Sequence, residues 1–508
     1  MTCDVAVIGA GPAGLAASVA AAAAGLRVVL VDAGDRLGGQ YFRHPPDALR
    51  TAGPDVTPHG WAEFARLRDA LTDHVAAGRV THLAGHSVWY AEAHAVGAGA
   101  RFTLHLNGTG NGTGAVQEMR SRTLVVATGA HDRPLPFPGW DLPGVLTAGG
   151  AQALLKGNLV VAGRRIVVAG TGPFLLPVAA GLASAGARVE GVFEAGRPER
   201  FARHGVRFLR NAGKLAEGAG YAATLLRHRV PFRMGHAVVA AHGDDAVESV
   251  TVARLDRDWT PVPGTERVIE CDAVAVGYGF TPQMEIPVEL GCATRTDADG
   301  SLVVVVDAAQ RTSVPGVYAA GETTGVGGVQ LALAEGELAG LAAAGELGVR
   351  TARPPRRLLA RRAGLRDFAA TLQDAYPVRP GWAGWLRPDT LVCRCEEVPY
   401  GRLDEAVRDL GATDPRTAKL ISRVGMGWCQ GRICGYPTAC LTARIRKREP
   451  DRTDLAGFAR RPLAQPVRLG DLAQSTADDG TDPADRADRT DLAGLADEPD
   501  GADRAEEV

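Results

Sequence analysis

The chain has 508 residues, of which 45% are hydrophobic and 22% are charged, with 56 basic and 58 acidic side chains. Such proportions are typical of a soluble protein of about three domains, and the near-zero net charge gives no reason to expect a nucleic-acid partner. No apolar run is long enough to span a bilayer, and the alanine-rich run at 16–24 belongs to a helix, not to a signal peptide. The scattered cysteines favour a reducing compartment and hence a cytoplasmic location.

The first motif lies at the N-terminus, where a short apolar strand runs into a glycine turn, a helix and a second strand ending at Asp32. Gly9 suits the tight turn, Gly11 lets the backbone reach a pyrophosphate, and Gly14 lets the helix pack on its strand. The helix N-terminus faces the phosphates, and Asp32 can accept hydrogen bonds from a ribose hydroxyl. The predicted dinucleotide contacts are Gly9, Gly11, Pro12, Ala13, Gly14 and Asp32.

Three later segments indicate that this dinucleotide is FAD. The loop 38–40 follows the ribose-binding acid, the strand at 124–127 ends in a small-residue turn, and the strand at 316–320 leads to an acidic turn and a helix. These segments resemble motifs of the two-dinucleotide-binding-domain flavoproteins, in which the last motif's acid bonds the ribityl chain and the helix faces the flavin pyrimidine. The acid here is Glu322 where aspartate is commoner, which lengthens its reach. The resemblance implies FAD contacts at Gly39, Gln40, Thr128, Gly129, Gly321, Glu322, Gly328 and Val329.

A second strand–turn–helix–strand pattern runs from 164 to Glu194. Gly170 and Gly172 form its turn, but Leu175 stands at the third glycine position and adds bulk where the helix should meet its strand. Three interpretations stay open: the site binds NAD(P), it binds another adenine nucleotide, or the domain is a scaffold that binds neither. The last two together are favoured.

The chain lacks the cysteine pair that disulfide-reductase chemistry needs beside a flavin, since residues 38–60 contain none and no C-x2-C lies in the inserted domain. Isolated cysteines at 3, 271 and 292 are interpreted as core residues. His131, just past the Thr128 turn, is close enough in sequence to approach a flavin, but a lone loop histidine is more often an ordinary polar residue. The catalytic residues are therefore left unassigned.

Four cysteines in the last quarter of the chain form the second strong signal, with Cys393 and Cys395 in a C-x-C pair and Cys429 and Cys434 in a C-x4-C pair. Two close pairs of thiolates are what a [2Fe–2S] cluster requires, because each iron takes two sulfur ligands. A structural zinc site is the alternative. Zinc pairs usually have C-x2-C spacing, so the cluster is favoured.

The residues around these cysteines predict a small helical domain. Apolar side chains at 403–410 follow a helical period, and Asp414-Pro415 supplies an N-cap and a first-turn proline for a second helix. Glycines near the second pair would let backbone N–H groups approach cluster sulfurs. These glycines are Gly425, Gly427, Gly431 and Gly435.

The fold class predicted is therefore α/β, with two Rossmann-like dinucleotide-binding domains, a small helical [2Fe–2S] domain and a disordered C-terminal tail. The arginine-rich segment at 353–362 is interpreted as a linker running into a solvated helix, and the tail has too few large apolar side chains to fold alone. The predicted divisions are an FAD-binding domain at 1–140 and 295–350, an inserted NAD(P)-binding-like domain at 141–294, a linker at 351–390, the [2Fe–2S] domain at 391–447 and a disordered acidic tail at 462–508.

Longer stretches carry two more specific resemblances. "VCRCEEV" and "GMGWCQGRICGYPTAC" resemble the bacterioferritin-associated-ferredoxin-like [2Fe–2S] domain. "DRPLPFPGWDLPGVLTAGGAQALLK", "GTGPFLLPVA" and "GETTGVGGVQLALAEG" resemble the alpha-type subunits of bacterial amino-acid dehydrogenases, a family that includes the A subunit of opine oxidase, the alpha subunits of hydroxyproline and proline dehydrogenases and the middle subunit of hydrogen cyanide synthase. This second similarity runs from about residue 3 to residue 446.

The family resemblance implies a function. In this family an oxidase-like FAD subunit of the glycine- or D-amino-acid-oxidase type oxidises the substrate, and electrons pass through the alpha-type subunit to a respiratory acceptor. The resemblance thus implies FAD, a [2Fe–2S] cluster, that partner, room for one further small subunit, and membrane association only through partners. The main alternative is a stand-alone NAD(P)H-dependent reductase that passes electrons through its cluster. A non-enzymatic iron–sulfur sensor is the least favoured interpretation of the motifs, and the sequence names neither substrate, acceptor nor stoichiometry.

Overall fold

The computed structural model describes residues 1–46, 59–94, 100–108, 117–197, 199, 212–349 and 354–478. The strands in these ranges are β1 (Thr2–Ile8), β2 (Val28–Asp32), β3 (Val80–Ala84), β4 (His86–Ala93), β5 (Phe102–Gly108), β6 (Gln117–Val126), β7 (Ala130–Asp132), β8 (Val145–Thr147), β9 (Arg165–Gly170), β10 (Arg188–Glu194), β11 (Phe232–Met234), β12 (His236–His242), β13 (Ser249–Arg254), β14 (Arg267–Glu270), β15 (Ala273–Gly277), β16 (Phe280–Pro282), β17 (Thr294–Thr296), β18 (Leu302–Val304), β19 (Val317–Ala319), β20 (Leu391–Cys393) and β21 (Val398–Pro399).

The helices of the same ranges are α1 (Pro12–Ala23), α2 (Trp61–Ala76), α3 (Ala148–Asn158), α4 (Leu175–Ser184), α5 (Ala212–Arg227), α6 (Glu285–Glu289), α7 (Val329–Glu346), α8 (Arg356–Ala375), α9 (Tyr400–Arg408), α10 (Pro415–Ser422), α11 (Gly435–Ile445), α12 (Arg452–Ala456) and α13 (Leu469–Asp478). Short 3-10 helices span Gly321–Thr324 and Pro380–Trp385. Within the described part of the chain, no helix combines the length and the apolar character that a membrane crossing requires.

The first sheet brings the predicted FAD motifs to one edge. Its strand order is β3-β2-β1-β6-β5-β4, and β19 pairs with the second half of β6. Strands β1, β2, β6 and β19 run parallel, with Ala6 opposite both Val29 and Leu124. Because the carboxyl ends of parallel strands share an edge, the loops after these strands meet there.

Helices α1 and α7 pack unusually closely because glycines line their contact. A Cβ atom on Gly336 would lie 2.0 Å from the carbonyl oxygen of Ala13, and one on Gly340 would lie 2.4 Å from that of Ala17. Any side chain at either position would force the helices apart. This contact holds the start of α7 beside the start of α1, although more than 300 residues separate them in sequence.

The second unit contains a parallel five-stranded sheet, β11-β10-β9-β15-β8, and an antiparallel sheet, β12-β13-β14. Strands β7 and β16 pair antiparallel, with Phe280 opposite Asp132, and connect this unit to the first sheet. The prediction of an α/β protein with Rossmann-like units is therefore confirmed.

The segment 351–390 is packed structure in its described part and not a free linker. Helix α8 buries Leu358 and Ala369, and the 3-10 helix after it buries Trp382 and Trp385 in the core shared with the second unit. The Trp385 ring N–H donates to the carbonyl oxygen of Trp259 at 2.9 Å. Large aromatic side chains contribute much of the burial energy of a core, which explains why the segment is anchored.

The predicted disordered tail begins as ordered structure. Ala464 is buried, and its N–H donates to the carbonyl oxygen of Trp89 in β4 at 2.7 Å. Helix α13 follows, and Asp471 accepts a hydrogen bond from Asn107 at 3.4 Å. A segment that cannot build its own core is ordered here by packing on an existing sheet. The remainder of the predicted tail, 479–508, lies outside the described residues.

Candidate functional site

The glycine turn after β1 has the geometry of a phosphate-binding turn. Gly9 has a φ of +103°, and a Cβ there would lie 2.3 Å from the carbonyl oxygen of Ala127. A Cβ on Gly14 would lie 1.7 Å from the carbonyl oxygen of Gly9, so helix and turn touch directly. A Cβ on Gly11 would meet nothing within 4 Å, because that position faces open space beside the start of α1. A helix N-terminus facing open space is a favourable site for phosphate groups.

Asp32, the last residue of β2, lies beside the glycine turn that follows β1. Its carboxylate accepts hydrogen bonds from the backbone N–H groups of Ala10 and Gly34, and burial raises the pKa of Asp32 despite these bonds. The side chain is only half-buried and lines a cavity that continues to His86–Val88 of β4. These three residues were not predicted from the sequence. They lie near the loop after Asp32 because the N–H of Gly85, just before β4, donates to the carbonyl oxygen of Gly34 at 3.2 Å.

The two small-residue loops lie against this turn. A Cβ on Gly39 would lie 2.8 Å from Cα of Gly11, so the loop 38–40 rests on the glycine turn. The hydroxyl of Thr128 donates to the carbonyl oxygen of Gln283 at 3.2 Å, and the Gln283 N–H donates to the carbonyl oxygen of Gly129 at 2.9 Å. Gln283 thus connects the Thr128 turn to the β16–α6 segment.

Glu322 lies at the N-terminus of α7, as the motif requires. Its carboxylate accepts hydrogen bonds from the N–H groups of Gly328 at 2.9 Å and Gly327 at 3.5 Å. Burial raises the pKa of Glu322 to about 7, and the two backbone bonds oppose that rise. The acid is therefore held against the segment that leads into α7 while it also lines the cavity.

A second acid, Glu335, was missed by sequence reasoning. It is fully buried within α7 and accepts hydrogen bonds from the N–H of Gly321 at 3.0 Å and the hydroxyl of Thr324 at 2.8 Å. Arg366 of α8 forms an ion pair with it, and Arg362 lies 3.6 Å away. Helix α8 is thereby tied to the acidic turn. The sequence feature that could have identified Glu335 is an acidic residue inside an otherwise apolar helical run.

The predicted FAD residues meet in one cavity of about 1460 Å³. All of them except Gly14, which is packed inside the turn, line it. This volume exceeds that of ordinary small-ligand pockets, which reach roughly 1,000 Å³, and leaves room for a dinucleotide. Thr171 and Gly172 of the second turn line the same cavity, so both dinucleotide turns open into one space.

In the second turn, the acid is hydrogen-bonded to groups of the turn itself. Glu194 is 2% exposed and accepts hydrogen bonds from the hydroxyl of Thr171 at 2.7 Å and the N–H groups of Gly172 at 2.8 Å and Gly196 at 2.6 Å. Burial raises the pKa of Glu194 to about 7. Both carboxylate oxygens are therefore engaged inside the protein.

The helix after the second turn begins late. Helix α1 starts directly after Gly11, whereas α4 starts at Leu175, three residues after Gly172. The Leu175 side chain is buried in the core of the second unit, and a Cβ on Gly277 of β15 would lie at ordinary contact distance from it, 3.7 Å from Cδ2. The bulk expected from Leu175 is therefore packed in that core, and the helix begins later than α1 does. Which nucleotide, if any, this turn binds stays a prediction.

The sequence profile of the family described as "Pyridine nucleotide-disulphide oxidoreductase" matches residues 3–336. The chain belongs to this family. The prediction of an FAD-dependent oxidoreductase is confirmed.

Relatives of this oxidoreductase extend the likeness over most of the chain. It is 34% identical over 445 residues to the hydrogen cyanide synthase subunit HcnB of Pseudomonas protegens, covering 86% of this chain and 91% of the relative. It is 34% identical over 484 residues to the A subunit of opine oxidase from Agrobacterium tumefaciens, covering 92% and 91%. The predicted resemblance to these subunits is therefore confirmed.

A solved structure supports the fold. The L-proline dehydrogenase from P. horikoshii superposes with a TM-score of 0.65 at 20% identity, covering 93% of this chain and 79% of that chain. At this identity the match bears on the fold alone.

The four cysteines of the oxidoreductase lie together, paired across the two motifs. Sγ of Cys395 lies 3.6 Å from Sγ of Cys429, and the thiol hydrogen bond from Cys434 lowers the pKa of Cys393. The N–H of Gly425 donates to Sγ of Cys393 at 3.4 Å. Within the described ranges, no three or more histidine, cysteine or acidic side chains are grouped around a position for one metal ion. Two close thiol pairs with an amide donor fit the donor set of a two-iron cluster.

The glycines near the second pair have two roles. Gly425 supplies the N–H that approaches sulfur, as the sequence suggested, and a Cβ on Gly427 would lie 2.3 Å from Cβ of Cys395. Gly425 and Gly431 both make room for Phe458, because a Cβ on them would lie 2.4 Å and 2.5 Å from its ring. Gly435 faces the same ring. Phe458 follows the predicted [2Fe–2S] domain, so no sequence pattern indicated that it covers the cysteine loop.

Proposed function

We propose that this oxidoreductase is the electron-transferring alpha-type subunit of a heteromeric amino-acid, opine or hydroxyproline dehydrogenase. The observation that carries the proposal is the continuity of the two sites. Ile433, the residue before Cys434, lines the same cavity as Thr128 and Glu322. A flavin held in that cavity and a cluster held by the four cysteines would therefore be neighbours on one chain.

The residues assigned to each group have distinct tasks. The glycine turn and Asp32 would hold the pyrophosphate and ribose of FAD, and Glu322 would hold the flavin end, while Cys393, Cys395, Cys429 and Cys434 would bind a [2Fe–2S] cluster. When bound, FAD supplies two-electron chemistry and the cluster supplies one-electron chemistry. Buried Glu335, paired with Arg366, ties α8 to the acidic turn at the flavin end of the cavity.

The proposal includes partners. An oxidase-like FAD subunit of the D-amino-acid-oxidase family would oxidise the substrate, a small subunit would complete the assembly, and a respiratory acceptor would receive the electrons. This part of the proposal is supported by the relatives described above, which are named as subunits of hydrogen cyanide synthase and opine oxidase. A cytoplasmic location, with membrane contact only through partners, is part of the proposal.

The alternative is a stand-alone NAD(P)H-dependent reductase. The cavity shared by the two dinucleotide turns favours it, but the engaged Glu194 and the late start of α4 oppose it. A dithiol mechanism has no support, since no cysteine is among the described residues that line the cavity.

Flavin reduction distinguishes the two functions. We expect NADH and NADPH to bleach the flavin slowly or not at all in anaerobic stopped-flow experiments. An amine-oxidising partner that co-purifies with the chain, supplied with its amino-acid substrate, should bleach it rapidly. Rapid bleaching by NADH without any partner would reject the electron-transferring subunit function and support the reductase.

The cluster assignment has its own test. Anaerobically purified protein should contain about two irons per chain and give an EPR signal on reduction. Cys429→Ser should lose the iron but keep its FAD, because the thiols lie outside the flavin turns. Cys440→Ser is the matched control, since this half-buried cysteine lies outside the four-thiol set, and it should keep both. Stoichiometric zinc without iron would contradict the assignment.

A further inference from the structure

Three buried charged side chains lie between the flavin cavity and the cysteine loop. Glu285 Oε1 lies 3.1 Å from Nη2 of Arg432 and 3.3 Å from Nη2 of Arg461. The side chains of Glu285, Arg432 and Arg461 are only 9%, 12% and 9% exposed. Charges this deeply buried are costly, so their retention calls for a physical explanation.

Each of the three comes from a different part of the chain. Glu285 begins α6, directly after the β16 segment that contacts the Thr128 turn, and it lines the flavin cavity. Arg432 lies between Cys429 and Cys434 in sequence and donates to the carbonyl oxygen of Cys429 at 3.3 Å. The triad therefore joins the flavin side of the molecule to the cysteine loop.

Arg461 belongs to a strap, residues 451–465, that follows the predicted [2Fe–2S] domain. The strap covers the cysteine loop with Phe458 and attaches to β4 through Ala464. Arg461 Nε donates to the carbonyl oxygen of Phe458 at 2.6 Å, which fixes the guanidinium on the inner side of the strap. Arg432 donates to the carbonyl oxygen of Ala464 at 2.6 Å and so fastens the strap to the loop.

The triad has an excess of positive charge. Two guanidinium groups, which stay protonated in proteins, share the single carboxylate of Glu285. Burial lowers the pKa of the neighbouring His131 to about 4, so this ring adds no charge at neutral pH. Nη1 of Arg461 is buried and has no hydrogen-bond partner among the described residues. The three side chains thus have a net charge of one positive unit beside the cysteine loop.

The field of this charge reaches the thiols. Burial and the neighbouring Arg432 lower the pKa of Arg461, whereas Glu285 and the thiols of Cys429 and Cys434 raise it, so Arg461 lies within electrostatic range of both thiols. Lys419 of α10 also interacts with Cys434 and Arg461, which adds positive charge on the same side. A four-thiolate cluster is negative and becomes more negative on reduction, so buried cations nearby favour its reduced form.

We propose that Arg461, held in place by the Glu285 carboxylate that it shares with Arg432, is a positioning residue that raises the reduction potential of the [2Fe–2S] cluster. This inference rests on the proposed function, since it requires the cluster.

The test is a potentiometric titration of the cluster followed by EPR, with iron and FAD contents measured in each variant. Arg461→Met should lower the midpoint potential because it removes a buried cation. Arg460→Met is the matched control, since Arg460 is the exposed neighbour of Arg461 in the strap, and it should leave the potential unchanged. Glu285→Gln removes the negative partner and should shift the potential in the opposite direction, to a higher value.

An unchanged potential in Arg461→Met with full iron content would overturn the inference. If Arg461→Met lost its iron, the upward shift in Glu285→Gln would still support the charge effect, and loss of iron from both variants would overturn it in favour of a structural role. Wild-type protein without iron or an EPR signal would instead reject the proposed function on which the inference rests.

Discussion

The two dinucleotide turns of this oxidoreductase share a sequence pattern but differ in how they use their acids. Asp32 accepts two backbone hydrogen bonds, is half-buried and faces the cavity. Glu194 accepts three hydrogen bonds and is buried. The first acid can still receive a ribose hydroxyl, whereas the second is a structural part of its turn.

The two turns also differ in where the helix begins. Helix α1 follows Gly11 at once, so its free N–H groups face the space in front of the turn. Helix α4 begins at Leu175 after two further residues. Each helix has one proline without an N–H in its first turn, Pro12 in α1 and Pro177 in α4, so the difference lies in where the helix starts. A phosphate site needs free N–H groups at close range, so we expect the first turn to bind phosphate more strongly than the second.

The largest expected effects come from two glycines of the first turn, of which Gly14 is required for packing and Gly11 for cofactor binding. Gly14→Ala should abolish folding, because its Cβ would overlap the carbonyl oxygen of Gly9. Gly11→Val should fold and lose FAD, because its side chain would enter the open space that we expect the pyrophosphate to occupy. Circular dichroism and flavin absorbance of both purified variants provide the test. Full FAD in Gly11→Val would show that the turn is not the FAD site.

A smaller effect compares the two acids. Asp32→Ala should weaken FAD binding by ~1–3 kcal/mol, the usual penalty for leaving buried polar groups unpaired. Glu194→Ala should leave the FAD content unchanged but lower the free energy of unfolding by ~1–3 kcal/mol, because three donors lose their acceptor. FAD titration of the apoprotein and urea unfolding measure the two quantities. Equal loss of FAD in both variants would contradict the difference between the turns.

A further expected effect is a pH dependence of the stability that Glu194 contributes. The pKa of Glu194 is raised from 4.5 to about 7 by burial, so the folded state holds this proton more tightly than the unfolded state. Its contribution to stability is full below pH 4.5 and is lost as the pH rises through about 7. Relative to Glu194→Gln, the free energy of unfolding of the wild type should fall across this interval. A constant difference between the two proteins would contradict the shift.

Much of the fold follows from local pattern. The glycine turn, its flanking strands and Asp32 were predictable because their spacing is set by one strand–turn–helix unit. Asp414 likewise caps α10 as predicted and accepts hydrogen bonds from the N–H groups of Arg416 and Thr417. Both inferences depend only on residues that are near neighbours in sequence.

The sequence by itself determined the family, the flavin turns and the four-cysteine pattern, because each is a short run whose spacing fixes its geometry. Only the tertiary structure decided how these parts are joined. It paired the cysteines across their motifs, closed Phe458 over the cysteine loop and brought Arg461 to Glu285. Contacts of this kind join residues far apart in the chain, and composition or periodicity has no information about which distant surfaces meet. Burial in the assembled core then decides which acids can still bind a ligand, as Asp32 can, and which are fully hydrogen-bonded within the protein, as Glu194 is.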